Sequence, residues 1–181
     1  MARGSFVRLE VGLAAAMAGF LILFWFTPLG IPTLKRLGQG RTQPDLKFGF
    51  GADEAYELLA LYGPAGVAHW RRMLWLDMVF PAVYAALFFL LLRRWADWAH
   101  AGQAWRVAAA TSPLLAGASD YVENILLLRV LAALPQRKPG SIAAASVFTQ
   151  AKHVFSMLTL LLPLLFWAWS SATGFFHGAG R

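Results

Sequence analysis

Cysteine is absent from this 181-residue chain. That excludes disulfides, thiolate metal sites and cysteine nucleophiles. Charge is scarce as well: 14% of the residues are charged, against about 25% in an average soluble domain. The chain is 59% hydrophobic with a mean hydropathy of +0.55. A water-soluble fold of this size leaves roughly a third of its surface wet and could not hide that much apolar area. Composition therefore argues against a soluble globular enzyme and against a disordered tail. The net charge is +7, but the basic residues are scattered as short flanks around apolar runs. They form no single face, so no nucleic-acid partner is expected. No internal repeat and no low-complexity tract stands out.

What the chain has is long apolar stretches. A membrane-crossing helix needs about 20 mainly apolar residues, and four segments qualify: about Val7 to Thr27, Met73 to Leu92, Trp105 to Leu128, and Val147 to Trp169. The first is too long for a signal-peptide core and has no small-residue cleavage site, so it reads as a retained span. All eight tryptophans fall near the ends of these stretches, as an aromatic belt at the lipid boundary requires. The expectation is an all-α, four-helix integral membrane bundle forming one domain over residues 1–181.

The connection 28–72 is the only long one and is expected outside the membrane. Its Pro28, Gly30, Pro32, Gly38, Gly40 and Pro44 read as irregular chain. A short amphipathic or capping helix is expected from Asp53 to Tyr62, stopped at Gly63 and restarted at Pro64. Ser141 is the expected N-cap of the fourth helix. Gly12, Ala15, Ala16 and Gly19 form a small-residue face suited to close packing of the first helix. Cationic residues are shared between the two ends. Arg3, Arg8, Arg93, Arg94, Arg106 and Arg181 lie on one side; the other carries Lys35, Arg36, Arg41, Lys47, Arg71, Arg72, Arg137 and Lys138. Positive charge therefore sets no orientation. His69, His100 and His177 are expected in loops or flanks.

The informative residues are the charges inside the stretches: Asp77 in the second, Asp120 and Glu123 in the third, Lys152 and His153 in the fourth. Antiparallel threading brings them to the same end of the bundle at similar depth. Asp120, Glu123 and Asn124 stand at i, i+3 and i+4 and share one face. Thr149, Lys152, His153, Ser156 and Thr159 form a second polar stripe, and Asp77, Pro81 and Tyr84 a third. Carboxylates facing lipid cost about 2.5 kcal/mol or more each, so these faces should point inward.

Two structural readings apply to this cluster: polar glue in which Lys152 pairs with the acids, or a Lys152 that snorkels to the interface. The functional reading is a buried pocket binding a small amphipathic or lipidic molecule through Asp77, Tyr84, Asp120, Glu123, Asn124, Lys152 and His153. If the protein is an enzyme, Asp120, Glu123 and His153 are the candidate acid–base residues; nothing in the sequence decides whether it is one. An accessory subunit of a larger membrane complex and proton-coupled transport by a homo-oligomer are the alternatives. A metal site is not expected, because Glu-x-x-His spacing is missing and Lys152 stands among the acids. No cofactor motif is present. Gly38-Gln39-Gly40-Arg41-Thr42 lacks the strand, lysine and helix of a phosphate-binding loop.

The run Ala52-Asp53-Glu54-Ala55-Tyr56, with Gly63 and Gly66, then Leu76-Asp77, Phe80-Pro81, Tyr84, Asp120 and Glu123-Asn124, resembles a group of small uncharacterised bacterial membrane proteins. The resemblance covers about residues 52–124 and the fourth stretch. It implies a four-span protein of the bacterial cytoplasmic membrane, with Asp77, Asp120, Glu123 and Asn124 at the group's motif positions. It implies no activity. Four-span sterol-isomerase-like proteins also carry intramembrane acids, but their motif spacing differs from this one.

Overall fold

The computed structural model describes residues 2–178, with side chains described for 6–171. Arg181 and the side chains of Arg3 and His177 lie outside the described residues. The described chain is all helical. Helices α1 (Ala2–Phe26), α2 (Ile31–Leu37), α3 (Ala52–Asp77), α4 (Phe80–Trp98), α5 (Gln103–Ala133) and α6 (Pro139–Gly178) are joined by short links, apart from a strap, residues 38–51, that contains a 3-10 turn at Pro44–Leu46. Three stretches, Phe6–Leu37, Ala52–Trp98 and Pro139–Ser171, are long and apolar enough to cross a membrane. α5 is not among them, because Asp120 and Glu123 interrupt its apolar run. It packs along both α4 and α6, and α1 packs on α2 and α4.

The sequence logic of the first connection holds in part. Gly63 takes φ +58°, a conformation open to glycine, and breaks α3 into two arms, with Pro64 opening the second. The first arm, from Ala52, covers the expected short helix. α2 was not expected. It forms because Ile31 and Leu34, one turn apart, both bury against α3 in the main core.

Four expectations are corrected. The stretch from Met73 to Leu92 is not one straight helix. Pro81 has no N–H to give the Asp77 carbonyl, so α3 ends at Asp77, a turn fills Met78 and Val79, and α4 starts at Phe80. The small-residue face of α1 does not pack: Gly12 and Gly19 have open space beside them, and Ala15 and Ala16 are exposed. Close approach occurs instead at Gly117. A Cβ there would lie 3.0 Å from Ala85 Cβ and 3.2 Å from the Pro81 carbonyl, so α5 sits against the α4 kink. Ser141 lies inside α6, which begins at Pro139. Finally, Trp70 is no belt residue. It is 2% exposed and stacks edge-on against Tyr62 in the core.

Candidate functional site

The α3–α4 kink puts the Asp77 carboxylate at the end of a helix and not on a continuous face. Asn124 Nδ2 donates to its Oδ2 at 2.9 Å. One turn further along, Tyr84 donates to Asp120 Oδ2 at 3.0 Å. From α6, Lys152 Nζ reaches both acids of α5, lying 3.3 Å from Asp120 Oδ1 and 2.5 Å from Glu123 Oε2. The Glu123 side chain is wholly buried, and its Oε1 accepts from Thr149 at 2.5 Å. Its Oε2 meets Lys152 as an ion pair and makes no aligned hydrogen bond. The polar stripe of α6 therefore faces inward, with Thr159 donating to Ser112 of α5 at 3.1 Å. Lys152 does not snorkel: it is held between α5 and α6.

These groups border a cavity of about 400 Å³ to which all six helices and the strap contribute. Asp77, Tyr84, Asp120, Lys152 and His153 line it; Glu123 and Asn124 do not. Those two stand behind the lining, Glu123 holding Lys152 and Asn124 holding Asp77. His153 is also set apart from the acids. Its Nδ1 lies 2.7 Å from the Thr149 carbonyl of its own helix. A carbonyl only accepts, so Nδ1 carries a proton and donates it to this bond. Among the described residues, no three His, Asp or Glu side chains are grouped to hold a metal ion.

Three lining residues that carry polar atoms fall outside the expected set. Gln43 and Asp45 come from the strap, and Trp70 from α3. Phe50 N–H donates to Ser146 Oγ of α6 at 2.9 Å, and Lys47 pairs with Glu54 of α3. These two ties lay the strap across the bundle and turn Gln43 and Asp45 inward. Gln43 is 3% exposed. Gln43 Oε1, Asp45 Oδ1 and Trp70 Nε1 are each shut off from solvent with no hydrogen-bond partner. Asp45 as a residue is only partly buried, but its Oδ1 is sealed. Burial, reinforced by the negative charge of Glu123 and partly offset by Lys152, pushes its carboxyl up to about 8. Nothing in the sequence around Gln43-Pro44-Asp45 marks it as inward-facing, since a 3-10 turn has no amphipathic period to read.

The other end of the cavity is apolar, walled by Met17, Leu21, Phe88, Pro113 and Leu160. α1 and α6 both line it but do not pack closely on each other. Trp25 of α1 and Leu160 of α6 both line the cavity and are 51% and 58% exposed. The arrangement is a polar floor below an apolar shaft with a side opening. It can seat a molecule with a polar head and an apolar body.

No protein-family model matches the chain, and neither a curated protein nor a solved structure matches it.

Proposed function

We propose that the chain is a four-span, multi-pass protein of a bacterial cytoplasmic membrane that binds one small amphipathic or lipidic molecule in this cavity. The membrane part rests on surface chemistry. Past Glu10, α1 is apolar around its whole circumference and most of its residues are exposed, a surface that only lipid or a partner can cover. α5 turns Asp120 and Glu123 inward and leaves Leu114, Leu115 and Ile125 exposed, so it supplies the fourth crossing despite its charges.

The single observation that carries the binding reading is the set of three orphaned polar atoms, Gln43 Oε1, Asp45 Oδ1 and Trp70 Nε1, on residues that line one cavity. Buried polar groups are nearly always hydrogen-bonded, and each exception calls for an explanation. A ligand head supplies the missing partners. The gap between α1 and α6 gives an apolar body a path from the bilayer. Asp120, Glu123 and Lys152 act in this reading as the lock that sets the helix register, with Asp120 also bordering the ligand.

Native mass spectrometry of the protein released from native membranes tests this. The expected result is one bound small molecule, lost when Ser156→Trp fills the cavity. An unliganded wild type whose melting temperature no amphiphile changes would contradict it, and would return the protein to the subunit or proton-transport alternatives.

A further inference from the structure

The acids of this chain are not equally provided with cations. There are nine. Glu10 pairs with Arg94, Asp53 with Arg137, Glu54 with Lys47, Glu57 with Arg41 and Asp97 with Arg106. Asp120 and Glu123 share Lys152. Among the described residues, Asp45 and Asp77 alone have no lysine, arginine or histidine nitrogen within 4.0 Å. Both line the same cavity, one from the strap and one from the α3 kink. The partner of Asp77 is an amide, Asn124, which brings no charge. Lys152 is already engaged by two acids, and the Nδ1 proton of His153 is given to the Thr149 carbonyl.

Two acids converging on one cavity would not by themselves define a site. The independent observation is Gln43. Gln43 lines the cavity from the strap, and its side-chain oxygen is buried and unpartnered. An amide oxygen accepts only, so it calls for a donor. Asp45 Oδ1 calls for one too. A protonated primary amine carries three donors and one positive charge in a compact head, and so answers both acceptors and the two acids that lack a direct ion pair. Trp70 Nε1–H points to a different feature. It is a donor, which an acceptor atom on the ligand would answer and an ammonium head would not.

We infer that the ligand of this pocket is a cationic amphiphile, an alkylamine whose ammonium head sits between Asp45, Asp77 and Gln43 with its chain in the apolar shaft. This rests on the pocket reading above and sharpens it. The floor disfavours a carboxylate or phosphate head, which would meet two acids while Lys152 is already engaged by Asp120 and Glu123. It gives a neutral alcohol hydrogen bonds but no charge partner.

The experiment uses the full chain in phosphatidylcholine nanodiscs at pH 7.5, with dodecylamine, dodecanol and dodecanoate as probes at equal mole fraction in the bilayer. The readout is the melting temperature against probe concentration. Dodecylamine is expected to half-saturate at a concentration at least tenfold below that of dodecanol, with dodecanoate no better than dodecanol. In Asp45→Asn/Asp77→Asn the amine preference should fall below twofold while the dodecanol response survives. Asp97→Asn, a surface acid paired with Arg106, should leave the preference intact, and Ser156→Trp should abolish every response. If the double variant does not fold, the wild-type probe series decides alone. Equal responses to amine and alcohol in the wild type would overturn the cationic assignment and leave the pocket standing. An amine preference that persists in Ser156→Trp would overturn it as a surface effect. No response to any probe would overturn both.

Discussion

Replacing Lys152 with methionine removes one charge and keeps most of the side-chain volume. The consequence falls on Glu123. Its side chain is fully buried, its Oε2 has Lys152 as its contact at 2.5 Å, and only Thr149 then remains to it. Removing one member of a buried ion pair costs about 3–5 kcal/mol. Proton uptake caps that cost. At about 1.4 kcal/mol per pH unit, neutralising a glutamate of ordinary acidity at pH 7 costs roughly 3.7 kcal/mol, and at pH 5 about 1 kcal/mol. For a chain of this size each kcal/mol moves the melting temperature by about 2–4 °C. Lys152→Met should therefore melt on the order of 10 °C below wild type at pH 7, with the deficit shrinking several-fold at pH 5. Adding Glu123→Gln should restore part of the loss. The assay is thermal melting in one detergent across that pH range. A deficit of the same size at both pH values would mean lost packing and not lost charge, and no deficit at all would refute the ion-pair lock.

Other expectations follow from single contacts. Asp45 holds its proton up to about 8 in the folded chain, against about 3.9 when unfolded. The folded state thus binds more protons in between, and stability falls as pH rises from about 4 to about 8. Asp45→Asn should flatten that fall and melt above wild type at pH 8.5, with the two converging near pH 4; parallel curves would contradict it. Amine affinity should rise as the pH passes about 8, where the Asp45 carboxyl ionises, with the neighbouring Asp77, Asp120, Glu123, Lys152 and His153 left unaltered. Isothermal titration with dodecylamine at pH 6.5 and 8.5 checks this. Gln43→Met removes a buried amide oxygen that has no partner, so it should raise stability by about 1 kcal/mol or more while weakening amine binding; lowered stability would show that the oxygen is satisfied. Gly117→Val should destabilise by roughly 1–3 kcal/mol, because even a Cβ there crowds Ala85 and the Pro81 carbonyl. An unchanged melting temperature would refute that packing.

The apolar stretches and the inward charges were legible because helix periodicity is strong over long segments. Asp120, Glu123 and Asn124 share a face, as do Thr149, Lys152 and Thr159, and those spacings alone bring Lys152 to the α5 acids. The division of labour among them was not legible. Glu123 and Asn124 stand on the same face as Asp120 yet lie one layer behind the cavity, a matter of depth that spacing does not encode. Asp77 was placed on a continuous helix because Pro81 reads as tolerated in an apolar run, and its effect on the backbone depends on the freed Asp77 carbonyl. The strap was opaque. Gln43 and Asp45 are polar residues in a proline-bearing turn, and such residues ordinarily face water. They turn inward because tertiary ties at Ser146 and Glu54 hold the strap down. Trp70 was misassigned for a similar reason, since proximity to a span end does not distinguish a belt ring from a core ring.

The account depends on charges from separate helices meeting in one dry interior, and internuclear distances in a lipid bilayer measure this directly. The chain has only four lysines, and Lys47 and Lys152 are the two that pair with acids. In a Lys47→Arg background with ¹⁵N at lysine Nζ and ¹³C at aspartate and glutamate carboxyls, solid-state NMR dipolar dephasing should report one lysine in direct contact with carboxyl carbons. The signal should vanish in Lys152→Met. A lysine spectrum without any contact-range dephasing would contradict the account at its root.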